Sequence, residues 1–213
     1  MPVHELVDTE DYVRVLDGFA QKFAPDERFS YCNAGYVVLA LLAERASGVP
    51  FHQLVRDRVT EPAGMLSTAF LRSDELPGDA AIGYLPIDGI DRTNVFHLPL
   101  RGSGDGGIYS TVGDFGRFWP ALFSGRILPG DVVENLVRRR SDAGDGNGYG
   151  LGFWLPGASG SAEHPETVML EGFDAGVSFR SRHDRGTGTT MTVVSNTSDG
   201  TWPIAKRLSE LLA

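Results

Sequence analysis

The chain has 213 residues, 41% hydrophobic and 22% charged, the balance of an ordinary globular protein long enough for one large domain or two intimate lobes. A formal net charge of -9, with lysine only at 22 and 206, argues against a nucleic-acid or anionic-membrane partner and leaves small molecules or proteins. The single cysteine, Cys32, allows neither an intramolecular disulfide nor a metal site of its own, and without a signal-peptide pattern or a run of about 18 apolar residues the expected location is cytoplasmic.

In chain order, Thr9 to Ala20 reads as an amphipathic helix with Tyr12, Val13, Leu16 and Phe19 at helical spacing and Thr9 able to cap it. Phe23 to Arg28 is a turn leading into Phe29-Ser30-Tyr31-Cys32-Asn33. From Ala34 to Ser47 runs the central helix. It carries no charge between Tyr36 and Ala43 and is apolar on every face, which predicts an element buried all round, capped by Asn33 and stopped by Ser47-Gly48 with Pro50 beyond. A shorter helix starts at Phe51, with Leu54, Val55 and Val59 on one face. Residues 73–101, rich in Pro, Gly and Asp, read as irregular. The glycine-rich run from Gly102 to Gly107 precedes Thr111 and Asp114, a capping-box pair, and then a helix bearing Phe115, Phe118, Trp119, Leu122 and Phe123 that stops at Gly125.

From Ser141 the pattern changes. Residues 141–148 read as a Gly/Asp loop, followed by β-like runs at 149–155, 167–170, 176–182 and 189–195, the last two joined by a hairpin loop over Arg182 to Gly188. Trp202 to Leu212 is a closing amphipathic helix. The organisation expected is one domain, with a helical lobe over about residues 1–140 and an antiparallel sheet with a terminal helix over about 141–213.

Tyr31-Cys32-Asn33 matches the Y-x-N motif of serine β-lactamases of the class C type and of the related DD-peptidases and esterases. Further stretches resemble landmarks of that family in the family's order: Phe29 to Tyr36, Ala43 to Gly48, Glu61 to Met65, Gly106 to Thr111, and Tyr149 to Gly152. The resemblance covers most of residues 23–212. It implies an α+β fold in which an antiparallel sheet flanked by helices meets a helical lobe, with the active site between them. It also implies that Tyr31 serves a serine nucleophile as general base or acid, and that Asn33 contacts substrate and a lysine. The substrate implied is a small lactam, ester or amide, with no cofactor.

Two family features are altered. No S-x-x-K occurs: Lys22 follows Phe19 and Lys206 follows Pro203 at that spacing. In relatives that motif lies farther upstream of Y-x-N than the residues before Tyr31 allow here, so it is expected ahead of Met1 together with a first helix and first strands. The third motif, K-T-G or H-x-G, is replaced by Leu170-Glu171-Gly172, with Leu170 in the place of the cation or imidazole. Glu171 and Gly172 are the expected substrate-side residues.

Blander readings stand beside these. Tyr31 can be an aromatic packed at a lobe junction and Asn33 a helix cap; the glycine run is a tight turn ahead of a helix rather than a phosphate cradle, since it lacks a G-K-[ST] ending. His4, His52, His97, His164 and His183 show no metal-ligand spacing, so no metal is expected. Two functions compete: a serine hydrolase whose nucleophile segment is missing from this chain, and a degenerate relative acting as a ligand-binding or assembly domain. A sheet without its first strands would leave an edge open to homo-oligomer formation.

Overall fold

A computed structural model describes residues 3–157 and 165–212. A 3-10 turn at Thr9–Tyr12 runs into α1 (Val13–Leu16), much shorter than the periodicity predicts. Asp17 is extended and Gly18 takes φ 84°, a conformation cheap only for glycine, so the helix cannot continue and Phe19 is left exposed. Thr9 is not the cap but a buried side chain; the Asp11 carboxylate instead accepts from the backbone N–H groups of Val7 and Asp8.

The central helix α2 spans Asn33–Ser47 and ends at Gly48, whose φ of 69° places its N–H on the Glu44 carbonyl. Cys32 occupies the cap position and Asn33 is the first helical residue, so the cap assignment to Asn33 is corrected. The expectation of all-round burial also fails. Val37, Ala40 and Leu41 are buried, Val37 and Leu41 packing with Leu6, Tyr12 and Leu16, whereas Val38, Leu39 and Leu42 are exposed. Apolar residues on every face permit burial on every face; which face is covered depends on what packs there.

Next come α3 (Phe51–Val55), a π-helical turn (Arg56–Thr60) and α4 (Glu61–Ala63), ended by Gly64 at φ 71°. Within the stretch read as irregular, β1 (Tyr84–Ile87) and β2 (Ile90–Thr93) form an antiparallel hairpin. Its two-residue turn, Asp88-Gly89, has positive φ at both positions, the geometry for which Asp-Gly is favoured. Every residue of β2 is exposed, so no alternation marked it.

Helix α5 (Val112–Phe123) is capped by Thr111, whose Oγ1 accepts from the Asp114 N–H at 3.1 Å. Helix α6 (Gly130–Val137) follows. The presumed loop at 141–148 is a second hairpin, β3 (Ser141–Gly144) and β4 (Asn147–Tyr149), turning through Asp145-Gly146, again with both φ positive. The run 149–155 breaks at Gly150 to Gly152, where the Gly150 N–H meets the Phe153 carbonyl, and resumes as β5 (Trp154–Pro156). Strands β6 (Thr167–Asp174), β7 (Val177–Asp184) and β8 (Thr190–Ser195) complete a six-stranded antiparallel sheet in the order β3-β4-β5-β6-β7-β8. Helix α7 (Thr201–Leu212) closes the chain.

Alternation of side chains gives the sheet two dressed faces. On one lies the main core, where Trp119, Leu122, Val133 and Val137 of α5 and α6 meet Phe153, Leu155 and Val168. Trp119 is fully buried, and its indole N–H donates to Ser181 Oγ at 2.8 Å, so its one polar atom is satisfied. On the other face α7 covers Met191 and Val193 with Ala205 and Leu208. A buried carboxylate ties the helices to the preceding loop: Asp114 accepts from the Ser67 N–H, the Thr68 hydroxyl and the Arg117 guanidinium.

Candidate active site

Tyr31 reaches its position because the extended residue Cys32 turns the chain directly into α2, leaving Tyr31 at the mouth of the helix. Its ring is 45% exposed and lies 5.8 Å from Tyr36 of α2, 6.1 Å from Tyr149 of β4 and 5.6 Å from Trp154 of β5. Phe29 adds contacts to Tyr149 and Trp154, which themselves meet edge-to-face at 4.9 Å. Tyr36 and Tyr149 are joined by a hydrogen bond between their hydroxyls. An aromatic cluster thus fastens the start of the central helix to the sheet. Phe29, Tyr36 and Tyr149 all fall within family landmarks of the sequence, but nothing in the sequence signals that they converge with Trp154 on Tyr31, because they come from separate elements.

Burial pushes the Tyr31 phenol above its ordinary range, with Tyr36, Asp105, Cys32 and Glu171 adding to the shift. At neutral pH the hydroxyl is therefore protonated and able to donate. Asp105, at the tip of the glycine-rich turn, still reaches solvent, yet the protein crowded around its carboxyl raises it above the usual carboxylate range; its own N–H opposes this and Asp174 reinforces it. The glycine-rich segment is a turn laid against α2. Ser103 and Gly106 bridge across it, and a Cβ on Gly104 would come within 2.2 Å of the Tyr36 carbonyl oxygen, a contact only glycine avoids.

Asn33 is exposed on the first turn of α2. Gly172 is exposed on β6, and a Cβ built there would meet nothing within 4 Å, so the backbone is open to approach. Among the described residues, β5 pairs with β6 only at Trp154–Met169, which leaves the β5-facing edge of β6 without a described strand partner from Leu170 onward. Leu170 packs against the main core. The Glu171 carboxylate is held by Arg180, whose Nε and Nη2 both donate to Oε2, and it borders a cleft that Trp154 also lines. Tyr31 touches Trp154, which lines that cleft, but Tyr31, Asn33 and Gly172 do not line it. No group of three metal-binding side chains occurs among the described residues, and His164 lies outside them.

A family model described as Beta-lactamase matches residues 2–212. The chain is 31% identical over 169 residues to Penicillin-binding protein 4* of Bacillus subtilis, covering 71% of this chain and 37% of that protein. It is 28% identical over 225 residues to Esterase EstB of Burkholderia gladioli, covering 90% of this chain and 55% of the esterase. The crystal structure of a penicillin-binding protein from Bacillus halodurans superposes with a TM-score of 0.93 at 30% identity, covering 99% of this chain and 65% of that one. The chain therefore spans from 37% to 65% of the length of these three proteins.

Proposed function

The chain belongs to the Beta-lactamase family, and from that premise we propose that it is the sheet-bearing part of a serine hydrolase that opens a lactam, ester or amide through an acyl-serine. The observation that carries the reading is the position of Tyr31, at the mouth of α2, edge-on to Tyr149 and tilted against Trp154, the residue through which β5 pairs with β6. A protonated Tyr31 hydroxyl suits proton donation to a leaving group; acting as base would require a nearby cation to favour phenolate. Asn33 contributes an exposed amide for substrate, and Glu171 with Gly172 offers the strand edge on which substrate lies. Leu170 stands where relatives carry a cation, which favours neutral esters or amides over carboxylate-bearing penicillins.

The 213 residues hold no S-x-x-K, so the chain alone is proposed to be inactive. That fact favours a second reading, in which the fold serves as a ligand-binding or assembly domain. Strand β8, at the end of the sheet, has β7 as its one strand partner among the described residues and carries no charge or proline over Thr190 to Ser195, which leaves its edge suited to pairing with a second copy. Incubation with a fluorophosphonate and a p-nitrophenyl ester tests the inactivity that both readings share. Stoichiometric labelling of one serine with ester turnover supports a self-sufficient hydrolase; no label and no turnover support the chain's inactivity alone. Light scattering tests pairing through β8.

A further inference from the structure

The α7-bearing face of the sheet holds a cleft of about 280 Å³, just below the roughly 300–1,000 Å³ of ordinary small-molecule sites. Its walls include Trp154, Pro156 and Met169, and its polar groups include Glu171, Arg180 and Arg182. The charges do not cancel. Glu171 is used by Arg180, which donates to it twice. Arg182 donates only to Thr167 Oγ1, at 3.3 Å, and no carboxylate lies within ion-pair distance of it among the described residues. The nearest acid along its strand, Asp184, feels the Arg182 charge without forming an ion pair with it and accepts from the backbone N–H and hydroxyl of Thr187. A guanidinium carries five N–H donors in a planar fork that matches a carboxylate. Here that fork stands partly buried beside an indole and a thioether.

We propose that this cleft binds a monocarboxylate bearing an aromatic ring, the carboxylate on Arg182 and the ring against Trp154 and Met169. Both parts are needed. The chain's net charge of -9 repels a bare anion, so one unpaired guanidinium holds it only with apolar contact added; a neutral ring leaves Arg182 without an acceptor. The site does not depend on the acyl-transfer reading. Arg182 is opposite Met169, three residues along β6 from Gly172, roughly 10 Å at strand spacing, and binding requires no nucleophile.

The test is titration of the ¹⁵N-labelled chain with phenylacetate while following the three tryptophan indole signals, with Trp154→Phe identifying its own. Phenylacetate is expected to move the Trp154 signal saturably, with a Kd on the order of 1 mM. Arg182→Met, which keeps the stem and removes the charge, should weaken binding about tenfold or more, as should replacing the ligand by phenylacetamide. Acetate should not saturate the site. Absence of saturable shifts, equal binding of phenylacetamide, full affinity in Arg182→Met, or shifts confined to Trp119 and Trp202 would each overturn the proposal. Arg182 is only partly buried, and an unchanged thermal transition of Arg182→Met confirms that its loss of binding is local.

Discussion

Two apolar helices, α5 and α2, meet opposite fates. In α5, Trp119 and Leu122 are sealed between α6 and the sheet, whereas in α2 Leu39 and Leu42 remain 58% and 56% exposed. The uncharged run from Tyr36 to Ala43 alone would mark α2 as the deeper element. The difference lies in partners: α5 lies across a complete face of strands, while α2 touches the rest of the described chain along one stripe and is fixed at its start by the aromatic cluster and the glycine-rich turn. Hydrophobic stabilisation scales with area removed from water, so identical side chains contribute unequally at the two places.

The largest expected effect is on α5. Trp119→Ala removes a fully buried ring and leaves Ser181 without its indole donor; it should cost about 3–5 kcal/mol in denaturant unfolding, and a cost below 1 kcal/mol would break the contrast. Next, Asp114→Ala deletes a carboxylate that accepts from Ser67, Thr68 and Arg117, with an expected loss of about 3 kcal/mol. Tyr36→Phe severs the hydroxyl link that ties α2 to β4; a loss of about 1 kcal/mol is expected, with Tyr31 exposure to solvent quenchers rising.

Smaller again is a pH effect. Burial holds His183 below its ordinary pKa, as it does His52. The folded state resists protonation more than the unfolded chain, so no stability is lost above the unfolded value near 6.5, and stability falls as pH drops below it toward the folded values. His183 stacks on Trp119 and Phe123 and shares a hydrogen bond with Thr190. Thermal unfolding of His183→Gln should therefore show a shallower decline between pH 7.5 and 5 than the parent chain, and an identical slope would sink this account. The smallest effect belongs to α2: Leu39→Gln should change stability by less than about 0.5 kcal/mol. A loss several times larger would mean that a second molecule covers that face in solution.

The position and end of α2 were legible because Gly48 supplies the positive φ that terminates it, and α5 because Thr111 and Asp114 announce its cap. Strands β6 to β8 were legible from β-branched runs around a polar turn. The hairpins at Asp88-Gly89 and Asp145-Gly146 carried their turn dipeptides openly, yet their strands are too short and exposed to alternate visibly. At the candidate site, Tyr31 and Asn33 stood out through the motif they form. Their surroundings did not, since Tyr149 and Trp154 lie far along the chain from Phe29 to Tyr36 and meet them only when β4 and β5 fold against α2.

By itself, then, the sequence determined the local elements, wherever a glycine, a cap or a periodic run decides backbone geometry within a few residues. It also determined the family resemblance. Only the tertiary structure decided which apolar faces are covered, which arginine Glu171 neutralises, and which one is left unpaired in the cleft. Those outcomes are pairwise and long-range: burial and ion pairing depend on what arrives from elsewhere in the chain, and no single stretch encodes its own partner.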